Sequence, residues 1–361
     1  MSLPRKFIAQ ISDRMACGLA IILRASFHFF ETPNEWTFMG DTLDMLANYQ
    51  AARGFVFDGI ASTVEYALPS PPDDVSSEHL TTESASTLTF EHKEQEEGND
   101  SDPAEQPPPL SKDACVALTR ILIRFVLGFY QNDLSLSLPA MLCLEKVYRH
   151  LVLLLIPPET GKTEVEGEED GKDGGEVSAN GKVPDKELWQ NVIVSVYSVC
   201  RSQDEESSRC GMECYSRLMR ETAVDEISDD KWLAILYLMV NKQPPLAADV
   251  SRANTFAVLG QVLMMVLPPL SHRSENWEDL TDLIQQIAAV SEENLREGRK
   301  GSVSPLFQKT VEVVTDCANK MMSEDFDGDK EFSSWASETL LAELEKFGAL
   351  GGSLMNVAAT K

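Results

Sequence analysis

The sequence predicts an all-α protein, a HEAT/armadillo-like (tetratricopeptide-like) helical-repeat solenoid interrupted by two long disordered acidic linkers. Three observations carry that expectation. Apolar residues recur at i, i+3, i+4 spacing along most of the chain. Alternation at period two never persists, and the β-branched clusters fall inside 3.6-residue patterns, so no strand is predicted. Tryptophans recur just inside helix starts at a nearly constant interval.

The elements follow in order. Ile8, Ile11, Met15, Leu19, Ile22 and Leu23 trace one apolar face of a first helix. In "FFETPNEWTFM" Thr32 suits a helix cap and Pro33 the first helical position. Glu35 completes a T-x-x-E capping box. Trp36 then falls on the fourth helical position and opens the stripe Trp36, Met39, Leu43, Leu46. Helical spacing continues over Phe55 to Leu68, Asp113 to Tyr130 and Pro139 to Ile156. It resumes over Lys186 to Cys200, Ser208 to Glu221, Asp229 to Asn241 and Ala247 to Leu267. Glu275 to Arg299, Pro305 to Met322 and Lys330 to Phe347 complete the set.

Two segments break the pattern. Residues 69–111 hold eleven Asp/Glu against one Lys, with seven prolines; residues 157–184 hold eight Asp/Glu against three Lys. Neither carries enough apolar surface to offset the entropy of ordering it, so both are expected to be disordered linkers. Together they supply more than half of the net charge of −27. The expected organisation is therefore a helical block at 1–68, a linker at 69–111 and a helical pair at 112–156. A second linker at 157–184 and a helical-repeat block at 185–361 follow. With no basic stripe to neutralise phosphates, nucleic acid is disfavoured as a partner.

Trp189 follows Asp185 by four residues, Trp232 follows Ser228 by four, and Trp277 follows Ser274 by three. The tryptophans stand 43 and 45 residues apart, the length of a two-helix repeat whose apolar face is buried only by stacking on its neighbours. A tryptophan on the first inward turn can wedge against the preceding helix. Its indole N–H then remains within reach of a loop carbonyl or water.

No catalytic or metal-binding pattern is complete in the sequence. "ETGKT" (Glu159 to Thr163) has Ile156 where a phosphate-binding loop needs glycine. "DFDGDKE" (Asp325 to Glu331) begins like a calcium loop, but Lys330 occupies the glycine position and Ala336 the closing glutamate position, so a solvated turn is expected. Cys210 and Cys214 share a helical face without a further pair of ligands. The five histidines, His28, His79, His92, His150 and His272, are dispersed and propose no nucleophile–base pair. Asn99 opens a formal glycosylation sequon, without meaning in a cytosolic chain. No catalytic, cofactor or metal residues are assigned, and no enzyme is expected. Seven scattered cysteines fit a reducing compartment, and no signal peptide is visible at "MSLPRKF". The charge-free stretch Ala253 to His272 is long enough to raise a membrane span, yet Asn254, Gln261 and Pro268-Pro269 favour a buried helix. Arg120 and Arg124 beside "ILIRFVLGFY" suit either a membrane-surface helix or a core helix, and the core reading is preferred.

"ISDRMACGLAIILRASFHFFETPNEWTFMGDTLDML" resembles the region downstream of the catalytic domain in large Arf guanine-nucleotide exchange factors of the Golgi brefeldin-A-resistance, GNOM and Gea type. Ala16, Gly18 and Leu19 match that family's Ala-x-Gly-Leu helix, and Glu35 and Trp36 its acidic-Trp step. A second downstream element is similar to the stretch in which Leu188 and Trp189 open one helix. Arg209 and Leu218 mark the next, and Trp232 opens the third. Trp277-Glu278-Asp279-Leu280 resembles the family's W-x-x-L segment. The Sec-seven domain that carries exchange activity has no counterpart in the sequence, so the chain looks like a C-terminal portion of such a factor. The resemblance implies a non-catalytic regulatory and membrane-recruitment region acting in Golgi and early secretory vesicle traffic. It would be cytoplasmic, peripherally associated with those membranes, and partnered by proteins of the Arf machinery. The alternative is a generic HEAT or tetratricopeptide-type interaction scaffold unrelated to Arf.

Overall fold

Capping chemistry starts several of the helices. Thr32 Oγ1 accepts from the Glu35 N–H while the Glu35 carboxylate accepts from the Thr32 N–H, a complete capping box with Pro33 at the first helical position. Asp185 and Asp204 each accept from a first-turn N–H at 2.9 and 2.8 Å. A computed structural model of the 361-residue chain describes residues 5–68, 109–130, 132–155, 185–222, 227–242, 249–298 and 305–348. Twelve α-helices, and no strand, are found among them. They are α1 (Arg5–Ser26), α2 (Pro33–Ala47), α3 (Gln50–Ala67), α4 (Lys112–Val126), α5 (Ser137–Leu155) and α6 (Lys186–Cys200). α7 (Glu205–Glu221), α8 (Asp229–Asn241), α9 (Asp249–Ser271), α10 (Trp277–Gly298), α11 (Pro305–Met321) and α12 (Lys330–Gly348) follow. The all-α expectation holds. The two expected linkers, the "ETGKT" segment, the Asn99 sequon, His79 and His92 lie outside the described residues, except at 109–111. There Leu110 is buried and Ser111 Oγ accepts from the Ala114 N–H.

Several boundaries differ from the apolar pattern, and four of them have a plain physical reason. α3 begins five residues before Phe55, and the buried Arg53 in its first turn donates Nε–H to the Ala47 carbonyl at the end of α2. α4 stops at Val126 because Gly128 takes a left-handed φ of 64°. The Phe129 and Gly128 N–H groups then close a Schellman turn on the Arg124 and Phe125 carbonyls. α7 starts at Glu205, where Glu205 and Glu206 suit the positive end of the helix dipole. α9 runs through Pro268-Pro269 to Ser271, its end held by other donors. Ser271 Oγ donates to the Pro268 carbonyl, Asn276 Nδ2 to the Leu270 carbonyl and Trp277 Nε1 to the Ser271 carbonyl.

The chain forms two compact units divided between Ala117 and Leu118, inside α4. In the first, α1, α2 and α3 pack on one another, with α1 and α3 in closest contact. That contact uses small residues: Ala16 and Ser12 are buried, and Gly59 approaches so near Ala20 that an added Cβ would lie 2.7 Å from its Cβ. The buried face of α1 is thus Ser12, Ala16, Leu23 and Phe27 at the helix exit. Ile11, Met15 and Ile22, members of the apolar face read from the sequence, remain exposed. Small side chains won the interface because they let two backbones approach.

In the second unit each helix packs on the next or next but one. α5 contacts α6 and α7, α7 contacts α9, α8 contacts α9 and α10, α9 contacts α11, and α10 contacts α11 and α12. Gly211 permits the α6–α7 approach, where a Cβ would meet the Cys200 backbone nitrogen at 2.8 Å. Trp189, Trp232, Tyr197 and Tyr215 are fully buried here. α9 is the one helix among the described residues long and apolar enough to cross a membrane, but most of its apolar stretch is buried within this unit. The buried-helix reading fits that environment. α4 likewise buries Leu122, Phe125 and Val126 and leaves Arg120 and Arg124 in solvent, as a core helix does.

Candidate functional site

Three arginines line one face of α7. Arg209, Arg217 and Arg220 fall within about 80° of one another at 100° per residue. Opposite them, α9 presents Asn254, Ala257, Val258 and Gln261 at i, i+3, i+4, i+7 spacing. Between the two helices runs an open groove of about 430 Å³, with Met212 and Val258 as its buried apolar lining.

The arginines differ in their partners. Arg209 bridges Glu206 and Glu213 at 2.7 Å each, in solvent; these carboxylates, Glu206 first, raise its affinity for its proton. Arg217 forms a two-point contact with Glu145 of α5, Nε to Oε1 at 2.6 Å and Nη2 to Oε2 at 2.8 Å. The Glu145 side chain is only 8% exposed, and its hydrogen bonds hold the Arg217 guanidinium protonated more firmly than usual. Arg149 and Glu221 make a second, exposed bridge between α5 and α7 at 2.8 Å. Arg220 donates Nε–H to the Ser216 carbonyl of its own helix, and among the described residues no carboxylate pairs with it. On the facing wall, the side-chain amides of Asn254 and Gln261 find no hydrogen-bond partner among the described residues. The groove is lined by these arginines together with Glu213, two uncommitted amides and apolar surface, and its three cations are balanced in number by Glu145, Glu206 and Glu213.

The patterns weighed in the sequence separate in space. Cys214 is buried beside Glu145, and burial first, then that carboxylate, pushes its thiol well above the ordinary range; Cys210 stays half-buried near Glu206. "DFDGDKE" is a turn with Asp325, Asp327, Lys330 and Glu331 exposed, as the solvated turn expected there has them, while Phe326 and Gly328 are buried. The Asp329 N–H donates to Ser271 Oγ, and Asp329 Oδ1 accepts from the Phe332 N–H, so this carboxylate caps α12. Among the described residues no three His, Cys, Asp or Glu side chains gather as a metal site. The α7 arginine face was missed because charge was weighed over the whole chain; a helical projection of residues 209–220 reveals it.

In the first unit the exposed Ile11, Met15 and Ile22 of α1 lie along one stripe, bordered by exposed Arg14. Compared with known proteins, the chain matches no protein-family model and no curated protein.

Proposed function

We propose that this chain is a non-catalytic helical-repeat solenoid that works by docking partners. In the finer reading it is the regulatory and membrane-recruitment region of a large Arf guanine-nucleotide exchange factor. The observation that carries the repeat is a register. Tyr197 donates its hydroxyl to the carbonyls of Met239 and Lys242, 42 and 45 residues on, and Tyr237 donates to Asp279 and Asp282 at the same two offsets. Trp189 meets Trp232 at an offset of 43. Contacts recurring at one offset are what stacked two-helix units produce. The Arf reading draws on the motifs around Ala16, Gly18, Trp36, Trp189 and Trp232. The exposed apolar stripe of α1, bordered by Arg14, supports membrane recruitment.

The test has two arms. A fluorescently tagged chain expressed in cells is expected on Golgi membranes, and the purified chain is expected to leave fluorescent GDP release from Arf unchanged. A diffuse distribution, or accelerated release, overturns the reading.

The α7–α9 groove favours a second reading, an interaction scaffold unrelated to Arf that holds a peptide between two helices.

A further inference from the structure

We infer that the outer face of α12 around Trp335 docks an arginine of a basic peptide partner. The inference rests on the docking-solenoid reading above and adds the chemistry of the partner. α12 buries Phe332, Ala336 and Leu340 and turns Glu331, Trp335 and Glu338 to solvent. At 100° per residue Glu331 and Glu338 lie about 40° and about 60° round from Trp335, on the same side, one turn before it and one turn after. Neither carboxylate has an ion-pair partner among the described residues; Glu338 only accepts from the Ser334 hydroxyl of its own helix at 3.4 Å. From Ser323 to Glu345 eight Asp and Glu stand against one cation, Lys330. The face is therefore anionic without a counter-charge of its own.

The ring between those carboxylates is held from behind. Trp335 rests against Phe332, with centroids 5.7 Å apart and planes at 48°, and Phe332 against Trp277, at 5.9 Å and 35°. Trp277 is fixed in turn by its indole N–H, which donates to the Ser271 carbonyl at 2.7 Å. Trp335 still keeps 36% of its surface in solvent. An indole so backed and flanked attracts a cation over its ring, tryptophan being the strongest aromatic partner for one. The same arrangement selects arginine. A guanidinium lies flat on an indole while its edge N–H groups reach a carboxylate. An ammonium is a point charge without that plane, and a choline headgroup has no N–H to give Glu331 or Glu338. A phosphocholine headgroup would also bring its phosphate towards this acidic stretch, which repels it. The occupant is therefore a peptide rather than a lipid surface.

The experiment adds the full chain to a fluorescein-labelled Ser-Arg-Ser-Arg-Ser peptide and follows anisotropy. The same peptide with Lys, and with uncharged citrulline, in place of Arg gives two comparisons, and phosphatidylcholine vesicles give a third. The Arg peptide is expected to bind more tightly than the Lys peptide, and the citrulline peptide least. Trp335→Ala should weaken Arg-peptide binding by about fivefold or more, and Trp335→Phe should retain part of it. Glu331→Gln with Glu338→Gln should weaken it by a similar factor, whereas Glu65→Gln on α3, an exposed carboxylate away from this face, should leave it unchanged. The two glutamates are exposed, so this pair of changes tests the site even where Trp335→Ala lowers the melting midpoint, which circular dichroism follows. Equal binding of the Arg and Lys peptides overturns the inference, because it leaves only general attraction to an acidic chain. An unchanged affinity in Trp335→Ala, or a Glu65→Gln effect as large as that of the α12 pair, overturns it too. So does a Trp335→Ala effect confined to the vesicles, which would make the face a choline site. Golgi recruitment of the tagged chain is scored separately. Its loss with peptide binding intact sinks the Arf reading alone, and lost peptide binding with recruitment intact sinks the α12 site alone.

Discussion

The indole rings of Trp189 and Trp232 meet edge to face, their centroids 5.1 Å apart and their planes at 72°. Each ring sits on the fourth residue of its helix, so the pair joins the first turns of α6 and α8. Trp189 Nε1 donates to Thr222 Oγ1 at 3.1 Å, which donates in turn to the Leu218 carbonyl at 2.8 Å. The joint thus ties the end of α7 to the starts of its neighbours.

Truncating either ring leaves a cavity in a buried site. Trp189→Ala and Trp232→Ala are each expected to cost about 3–5 kcal/mol. Their edge-to-face contact should appear as a coupling of about 0.5–1.5 kcal/mol in a double-mutant cycle. Trp232→Ala is expected to be the most damaging and Trp335→Ala, at a ring 36% exposed, the least. Urea denaturation of the three single variants checks the order; additive effects of Trp189→Ala and Trp232→Ala would show that the ring contact contributes nothing.

Two helical glycines should respond in opposite directions to alanine. At Gly211 a Cβ would meet the Cys200 backbone, which cannot yield as a side-chain tip can, so Gly211→Ala should destabilise α6–α7 packing. At Gly18 nothing lies within 4 Å of an added Cβ, and alanine should stabilise α1 by up to about 1 kcal/mol. Melting midpoints that fall for both would refute the assignment of Gly18 to open space.

The helices were legible because long 3.6-residue patterns and caps such as Thr32 and Asp185 act locally. The wedge idea held in part. Trp36 and Trp277 each donate an indole N–H to the carbonyl six residues earlier, Phe30 and Ser271. α10, however, begins at Trp277 itself, and that ring is only half-buried, so it is no equal of Trp189 and Trp232. The exposed side of α1 was not legible, since periodicity reports apolarity and not which face two backbones can share. The α7–α9 groove was not legible either. Arg217 and Glu145 lie 72 residues apart in sequence, and only tertiary packing reveals which arginines are neutralised.

Thiol chemistry should divide the cysteines by burial. None of the seven is in a disulfide; Cys115, Cys200, Cys214 and Cys317 are buried, and Cys17, Cys143 and Cys210 are half-buried. Burial pushes Cys115 and Cys317 up to about 12, which leaves little thiolate at neutral pH. In the native protein at pH 8, a thiol reagent is expected to modify Cys17, Cys143 and Cys210 first. The other four should react only as fast as the fold opens. Rapid native labelling of Cys115 or Cys317, located by mass spectrometry, would contradict that packing.

Acid should weaken the helix starts. Hydrogen bonds from Thr32, Ser207 and Ser228 hold Glu35, Asp204 and Asp230, respectively, below the usual carboxylate range. A depressed value stabilises the fold above the unfolded-chain value near about 4, and that stability is lost as pH falls through the folded value. Asp58, raised by burial, has the opposite sign: its contribution is fullest at low pH and is lost as pH rises. Asp204→Asn, which can still cap, should flatten the loss of stability between about pH 5 and pH 3 relative to the parent. Asp58→Asn should steepen it. Difference curves from urea midpoints at each pH check both signs.

The ion pair between α5 and α7 should be asymmetric under mutation. Glu145 is buried, at 8% side-chain exposure, whereas Arg217 is 39% exposed and can draw water around its free face. Removing the arginine leaves a carboxylate confined without a counter-charge, and removing the carboxylate leaves a cation that solvent can still reach. Arg217→Ala is therefore expected to cost about 3 kcal/mol and Glu145→Gln about 1 kcal/mol, the second discounted for that exposure. Replacing both by apolar residues of similar size, Arg217→Met with Glu145→Leu, should recover most of the loss, because the desolvation cost disappears with the charges. The exposed Arg149–Glu221 bridge on the same two helices serves as the internal control, and Arg149→Ala should cost less than about 1 kcal/mol. Denaturant midpoints across this set give the order directly. A Glu145→Gln loss equal to that of Arg217→Ala would mean that both charges are sealed from water, and that α5 covers this end of α7 more completely than the exposure of Arg217 indicates.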